Sequence, residues 1–258
     1  MQNMSKWNIS EFNESKIISQ IKNHTDLFGH LTDWPSIQDY AEIFKKNNNQ
    51  IVPVAQATVI NSFEDQYEPR VYIKNELQTR TQNWHDFFNA IIWLKFPLTK
   101  KILNTLHYQQ STNRKLGSNR SKLENRITQF DECGAIIITN DRKLLNLIKN
   151  HQWHELFINN KDAFKENIKC VVFGHAIFEK SLNPYIGMTC HCLLIESDEL
   201  LINISNNDFT NIDKRVATLW RNKIACSPLK FAALPILGIP GYWHDQNDLF
   251  YKNTKYFR

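Results

Sequence analysis

Apolar residues recur at intervals of three and four through the first half of the chain and in short unbroken runs through the second half. The first spacing is that of helices with one buried face, and the second that of buried strands. Ile17, Ile18 and Ile21 open the helical pattern. Ile37, Tyr40, Ala41 and Phe44 continue it after "DWPS", where Pro35 lies near the first turn. "KKNNNQ" breaks it, and "IVPVAQATVI", β-branched with one proline, reads as an irregular or edge segment. "PRVYIKNE" reads as a short strand. Asn83 can cap a helix that runs to Pro97, with Asp86 imitating the acid of a capping box. Leu98, Ile102 and Leu106 carry a second helix onward from that proline.

"STNRKLGSNRSK" reads as an exposed loop, and beyond Asp131 the texture changes. "GAIIIT" and "KCVVFG" are apolar runs bounded by turn residues, each followed by a helical pattern. "MTCHCLLIES" adds a third strand, and "DFTNIDKRVATLWRNKI" a further helix. The expected class is therefore α/β or α+β, helix-rich, with a small mixed central sheet and a helical N-terminal section. The expected division is residues 1–50 as that section and 51–258 as the main domain, or one continuous domain.

With 42% hydrophobic and 22% charged residues, the chain has the composition of a globular protein. Sixteen Phe and seven Trp imply an aromatic core. The opening residues lack a secretory signal, and no apolar stretch is long enough to cross a bilayer, so a cytoplasmic protein is expected, with no membrane partner. Cys133, Cys170, Cys190, Cys192 and Cys226 include no CxxC pair and read as reduced thiols in a core.

The net charge of +5 and pI near 8.8 are only mildly basic. The excess is local: Lys95, Lys100, Lys101, Arg114, Lys115, Arg120, Lys122 and Arg126 stand against one acid, Glu124. Such a run is either a solvated face or a surface for phosphates, including those of a nucleic acid.

Four segments carry candidate chemistry. In "NWHDFFNAIIWLKFP", Phe87, Phe88, Ile91 and Leu94 form a broad apolar face, with His85 and Asn89 one turn apart on its flank. His85, Asp86 and Asn89 either satisfy neighbouring backbone groups or form a site with an imidazole as acid, base or ligand. In "FGHAIFEK", His175 and Glu179 share a helix face just after a strand, which suits an ordinary ion pair, a base with its orienting carboxylate, or two metal ligands. His191 in "GMTCHC" is the third ligand or a partner to His175. A zinc site from Cys190, His191 and Cys192 lacks the usual spacing. Asp131 and Glu132 precede a strand, as a solvated turn or as groups facing a ligand. No GxxxxGK, GxGxxG or GxSxG arrangement is present, which removes the motif-based case for a P-loop NTPase, a Rossmann dehydrogenase or an elbow serine hydrolase.

The segments "TRTQNWHDFFNAIIWLKFPLTKKILN", "FDECGAIIITND", "FGHAIFEK", "GMTCHCLLI", "LPILGIPGYW" and "FYKNTKYFR" together resemble the bacterial family of unknown function DUF3025, over about residues 50–258. The resemblance implies a pattern that includes Arg80, Trp84, His85, Asp86, Asn89, Pro97, Lys100, Asp131, Glu132, Gly174, His175, Glu179, Gly187 and Gly241. It implies no activity.

The combined expectation is a cytosolic enzyme of hydrolase or group-transfer type acting on an anionic, phosphate-bearing substrate. Its catalytic candidates are His85, Asp86, Asn89, His175, Glu179 and His191, and its substrate-binding candidates Arg80, Lys100, Arg114, Arg126, Asp131 and Glu132. A divalent metal on His175, Glu179 and His191 is the cofactor version. A non-catalytic nucleic-acid-binding protein using residues 95–126, or a structural or partner-binding protein, are the alternatives.

Overall fold

The computed structural model describes residues 7–9, 15–112, 119–205, 208–224 and 231–258. The chain divides into two units. The first comprises Met1–Phe12, Ile21–Thr128 and Asp213–Ser227, and the second Asn13–Gln20, Gln129–Ile212 and Pro228–Arg258.

The first unit is mostly helical, in keeping with the three- and four-residue spacing of its apolar residues. Helix α1 (Ile37–Lys46) starts at a complete capping box, in which Ser36 Oγ accepts from the Asp39 N–H and the Asp39 carboxylate accepts from the Ser36 N–H. Strand β1 (Val52–Ala55) is followed by helix α2 (Tyr67–Lys74) and strand β2 (Glu76–Thr79). The segment expected to be a strand, "PRVYIKNE", is thus mainly helix. Asn75, in the left-handed region at φ 55°, ends that helix and turns the chain directly into β2. β1 and β2 pair in parallel, and the crossover a parallel pair requires is what makes the intervening segment helical.

Helices α3 (Trp84–Lys95) and α4 (Pro97–Thr112) follow as the sequence predicts. Asn83 caps α3 by accepting from the Asp86 N–H at 3.0 Å. Most of α3 is buried, and Phe87 meets Phe28 and Trp7 edge to face with centroids 5.3 and 5.1 Å apart. At the start of α4 the Asp213 carboxylate accepts from the N–H groups of Leu98 and Thr99, at 2.9 and 2.8 Å.

The main part of the second unit starts at Gln129, within helix α5 (Lys122–Cys133), and holds a four-stranded sheet. Strand β3 (Gly134–Thr139) leads to α6 (Arg142–Lys149), α7 (Lys161–Asn167) and β4 (Ile168–Val172). Helix α8 (His175–Lys180), β5 (Thr189–Glu196), α9 (Asp198–Ser205) and the start of α10 (Thr210–Leu219) come next, and β6 (Ala232–Pro235) closes the sheet. The order is β4-β3-β5-β6, with β3 parallel to β5 and the other two pairings antiparallel. All six residues of β3 are buried, which is why that strand reads as one apolar run without alternation. In β5, Cys190 and Cys192 are buried while Thr189 and His191 are half-buried, as a period of two requires. The aromatic C-terminal segment is tied to this sheet: Tyr256 Oη donates to the Met188 carbonyl at 2.8 Å and accepts from the Leu237 N–H at 3.0 Å.

The small mixed sheet and helix-rich chain are those of the expected α/β or α+β class. Among the described residues no helix is long and apolar enough to cross a membrane.

Candidate functional site

In the second unit α5 ends at Cys133 and β3 starts at Gly134 with no loop between them. Asp131 and Glu132 therefore sit on the last turn of a helix, where the sequence suggested a free turn. The Gly134 carbonyl accepts from two consecutive N–H groups beyond β4, those of Phe173 at 3.0 Å and Gly174 at 2.8 Å. This draws the β4–α8 turn onto the backbone of residues 132–134. A Cβ on Gly174 would lie 2.4 Å from both the Glu132 carbonyl oxygen and the Gly134 nitrogen, so only glycine permits the approach.

The next residue is His175, whose side chain is 3% exposed. Its Nδ1 lies 3.8 Å from an Asp131 carboxylate oxygen and its Nε2 3.6 Å from a Glu132 carboxylate oxygen. The two acids are more open, at 20% and 37% exposure, so the imidazole is buried beneath carboxylates that reach solvent. At these separations the carboxylates act on the ring through their charge and not through a hydrogen bond, and an imidazole so placed is a candidate for gaining and losing a proton.

Lys180, at the end of α8, places Nζ 3.5 Å from Cys133 Sγ. Burial disfavours its charge, but Cys133, Tyr185 and Glu132 outweigh that and raise its pKa. His191 pairs in register with Gly134 across β3 and β5, and its pKa is lowered, first by burial and then by the Lys180 ammonium. The cluster thus couples an imidazole, two carboxylates, a thiol and an ammonium on consecutive turns. Burial pushes the Cys170 thiol up to about 12, and those of Cys190 and Cys192 well above the ordinary range; Cys190 and Cys192 are buried, while Cys133 and Cys170 are only half-buried.

Of the residues singled out in the sequence, the structure brings His175, Asp131 and Glu132 together. Glu179 lies one turn along α8, and His191 approaches through Lys180. Among the described residues His175, Glu179 and His191 do not offer ligand atoms to a common point, so they are not a preformed metal set. Lys180 and Cys133 were not singled out. The lysine adjoins Glu179 in "HAIFEK", but nothing in its spacing shows that it reaches the end of α5.

In the first unit, Asp86 accepts two guanidinium bonds from Arg80, at 2.9 and 2.8 Å, and the Arg80 backbone N–H at 2.7 Å. Asp86 therefore anchors the residues ahead of α3, while Asn83 performs the capping. Asn89 donates to Tyr67 Oη at 2.7 Å and accepts from Lys100 Nζ at 2.9 Å, and that ammonium lies 5.4 Å from the centre of the Trp93 ring. His85 is the half-buried second residue of α3, and Arg126 is half-buried on α5. Arg114 and Lys115 lie outside the described residues.

The model of a family described as protein of unknown function (DUF3025) matches residues 51–258, and the chain belongs to that family. No curated protein and no solved structure matches it.

Proposed function

We propose that this member of DUF3025 is a bacterial, cytosolic enzyme that carries out hydrolysis or group transfer on an anionic, phosphate-bearing substrate, with His175 as its acid–base residue. The observation that carries this reading is a buried imidazole with a carboxylate beside each nitrogen, held by a glycine contact that tolerates no side chain. Asp131 and Glu132 offset the charge the ring gains on taking a proton. Lys180, kept cationic by its neighbours, supplies the charge that an anionic substrate requires.

The direct test is turnover of phosphomonoester, phosphodiester and phosphoanhydride panels by the full chain and by His175→Gln and Glu132→Gln, each with a thermal melt. Loss of ~100-fold or more in His175→Gln with an unchanged melt is expected, from the usual size of acid–base contributions. Equal turnover by wild type and His175→Gln removes the proposal.

A further inference from the structure

Away from the cluster around His175, the first unit has a cleft of about 220 Å³ between α4 and the part of α10 from Asp213 onward, extended by Arg221. Its apolar surface comes from Leu98, Ile102 and Ala217, and Lys101, Lys214 and Arg221 stand around it with the Thr218 hydroxyl. Among the described residues no carboxylate lines it. Among the described residues none of the three cations makes an ion pair. The nearest acid in sequence, Asp213, is 3% exposed and committed to the N–H groups of Leu98 and Thr99.

Three like charges around one small cleft repel each other, and a bound anion removes that repulsion. The start of α4 does not supply the recognition, because Asp213 already holds its first amides. Any anion here must be read by the side chains of Lys101, Lys214 and Arg221. The apolar surface adds a second requirement. Leu98 is 43% exposed beside these cations, so a ligand that covers it removes apolar area from water, which bare phosphate cannot do. The volume is below the ~300–1,000 Å³ of pockets that take drug-sized ligands, which sets a small upper size.

We propose that this cleft is a binding site for a small organic phosphate, the phosphate held by Lys101, Lys214 and Arg221 and its apolar body resting on Leu98, Ile102 and Ala217. The site does not depend on the chemistry assigned to His175, and its test reads binding alone.

The test is calorimetric titration of the full chain with phenyl phosphate, inorganic phosphate and phenol, at low and high salt. Phenyl phosphate should bind at least ten times more tightly than inorganic phosphate, phenol should not bind, and affinity should fall as salt rises. Lys214→Gln combined with Arg221→Gln should weaken phenyl phosphate at least tenfold. Leu98→Ala should weaken phenyl phosphate while leaving inorganic phosphate unchanged. These positions are exposed, so a thermal melt confirms that each variant is folded. Absence of phenyl phosphate binding overturns the proposal, as does equal binding by the double variant. Binding only to vesicles of anionic lipid, or only to a single-stranded oligonucleotide, also overturns it and turns the same cations to a macromolecular surface.

Discussion

Gly174 donates its N–H to the carbonyl of Gly134 at 2.8 Å, and a Cβ on Gly174 would fall 2.4 Å from the Gly134 nitrogen. This contact joins the β4–α8 turn to the end of α5 and fixes where the His175 ring lies relative to Asp131 and Glu132. Sequence, packing and candidate chemistry therefore meet at one position with no room for a methyl group.

Gly174→Ala should destabilise the second unit by ~2–4 kcal/mol, because backbone atoms on both sides must move to admit the Cβ. Urea denaturation followed by the fluorescence of Trp153, a buried residue of that unit, reports it. A change below ~0.5 kcal/mol would show that the turn relaxes freely and that the positioning of His175 does not depend on the glycine.

The capping box of α1 makes a separate prediction about acid. The Asp39 pKa is lowered by its bonds to the Ser36 hydroxyl and N–H. A carboxylate with a lowered folded pKa contributes stability above its unfolded value near 3.8, and that contribution disappears as pH falls through the folded value. Ser36→Ala should cost ~1 kcal/mol at neutral pH and progressively less below pH 4. Stability curves of wild type and variant that stay parallel from pH 7 to 3 would contradict this.

Tyr67→Phe removes the acceptor for the Asn89 amide, whose residue is 7% exposed. A donor stranded at that depth costs ~1–3 kcal/mol. The same variant separates two roles for Asn89 and Lys100. If the Tyr67–Asn89–Lys100 chain is scaffolding, thermal stability falls and turnover per folded molecule is unchanged; if Asn89 serves the reaction, turnover falls by more than the folded fraction.

The parts of the fold legible in the sequence were those fixed by local physics. Asn83 as a cap, Pro97 between two helices, and the runs Gly134–Thr139 and Ile168–Val172 as strands all follow from neighbouring residues. "PRVYIKNE" reads as a strand but lies mainly in the helix Tyr67–Lys74, because that helix answers a tertiary demand, the crossover between two parallel strands, which no short window contains. In the candidate site, His175, Asp131 and Glu132 were each visible as residue types, but their meeting depends on α5 running into β3 without a loop and on Gly174 packing against that junction. Lys180 was hidden for the same reason, since its partner Cys133 is 47 residues away.

Lys95 closes α3 at 6% exposure, with its ammonium 5.4 Å from the centre of the Phe96 ring, and burial lowers its pKa to about 7. A lysine whose folded pKa lies below its unfolded value of 10.5 disfavours folding most where it would be charged in both states. The penalty is fully present below about pH 7 and shrinks as pH rises toward 10.5, with a slope of at most ~1.4 kcal/mol per pH unit. The stability of Lys95→Met relative to wild type should therefore be greatest near neutrality and decline steadily to pH 10, as read by urea denaturation. His24 provides an internal check, because its pKa is lowered to about 4, first by burial and second by the Lys95 charge. Removing that charge should move the His24 titration upward, as followed by the NMR signals of its ring. A pH-independent stability difference would mean that burial does not lower the Lys95 pKa, and an unmoved His24 would mean that the Lys95 ammonium does not act on its ring.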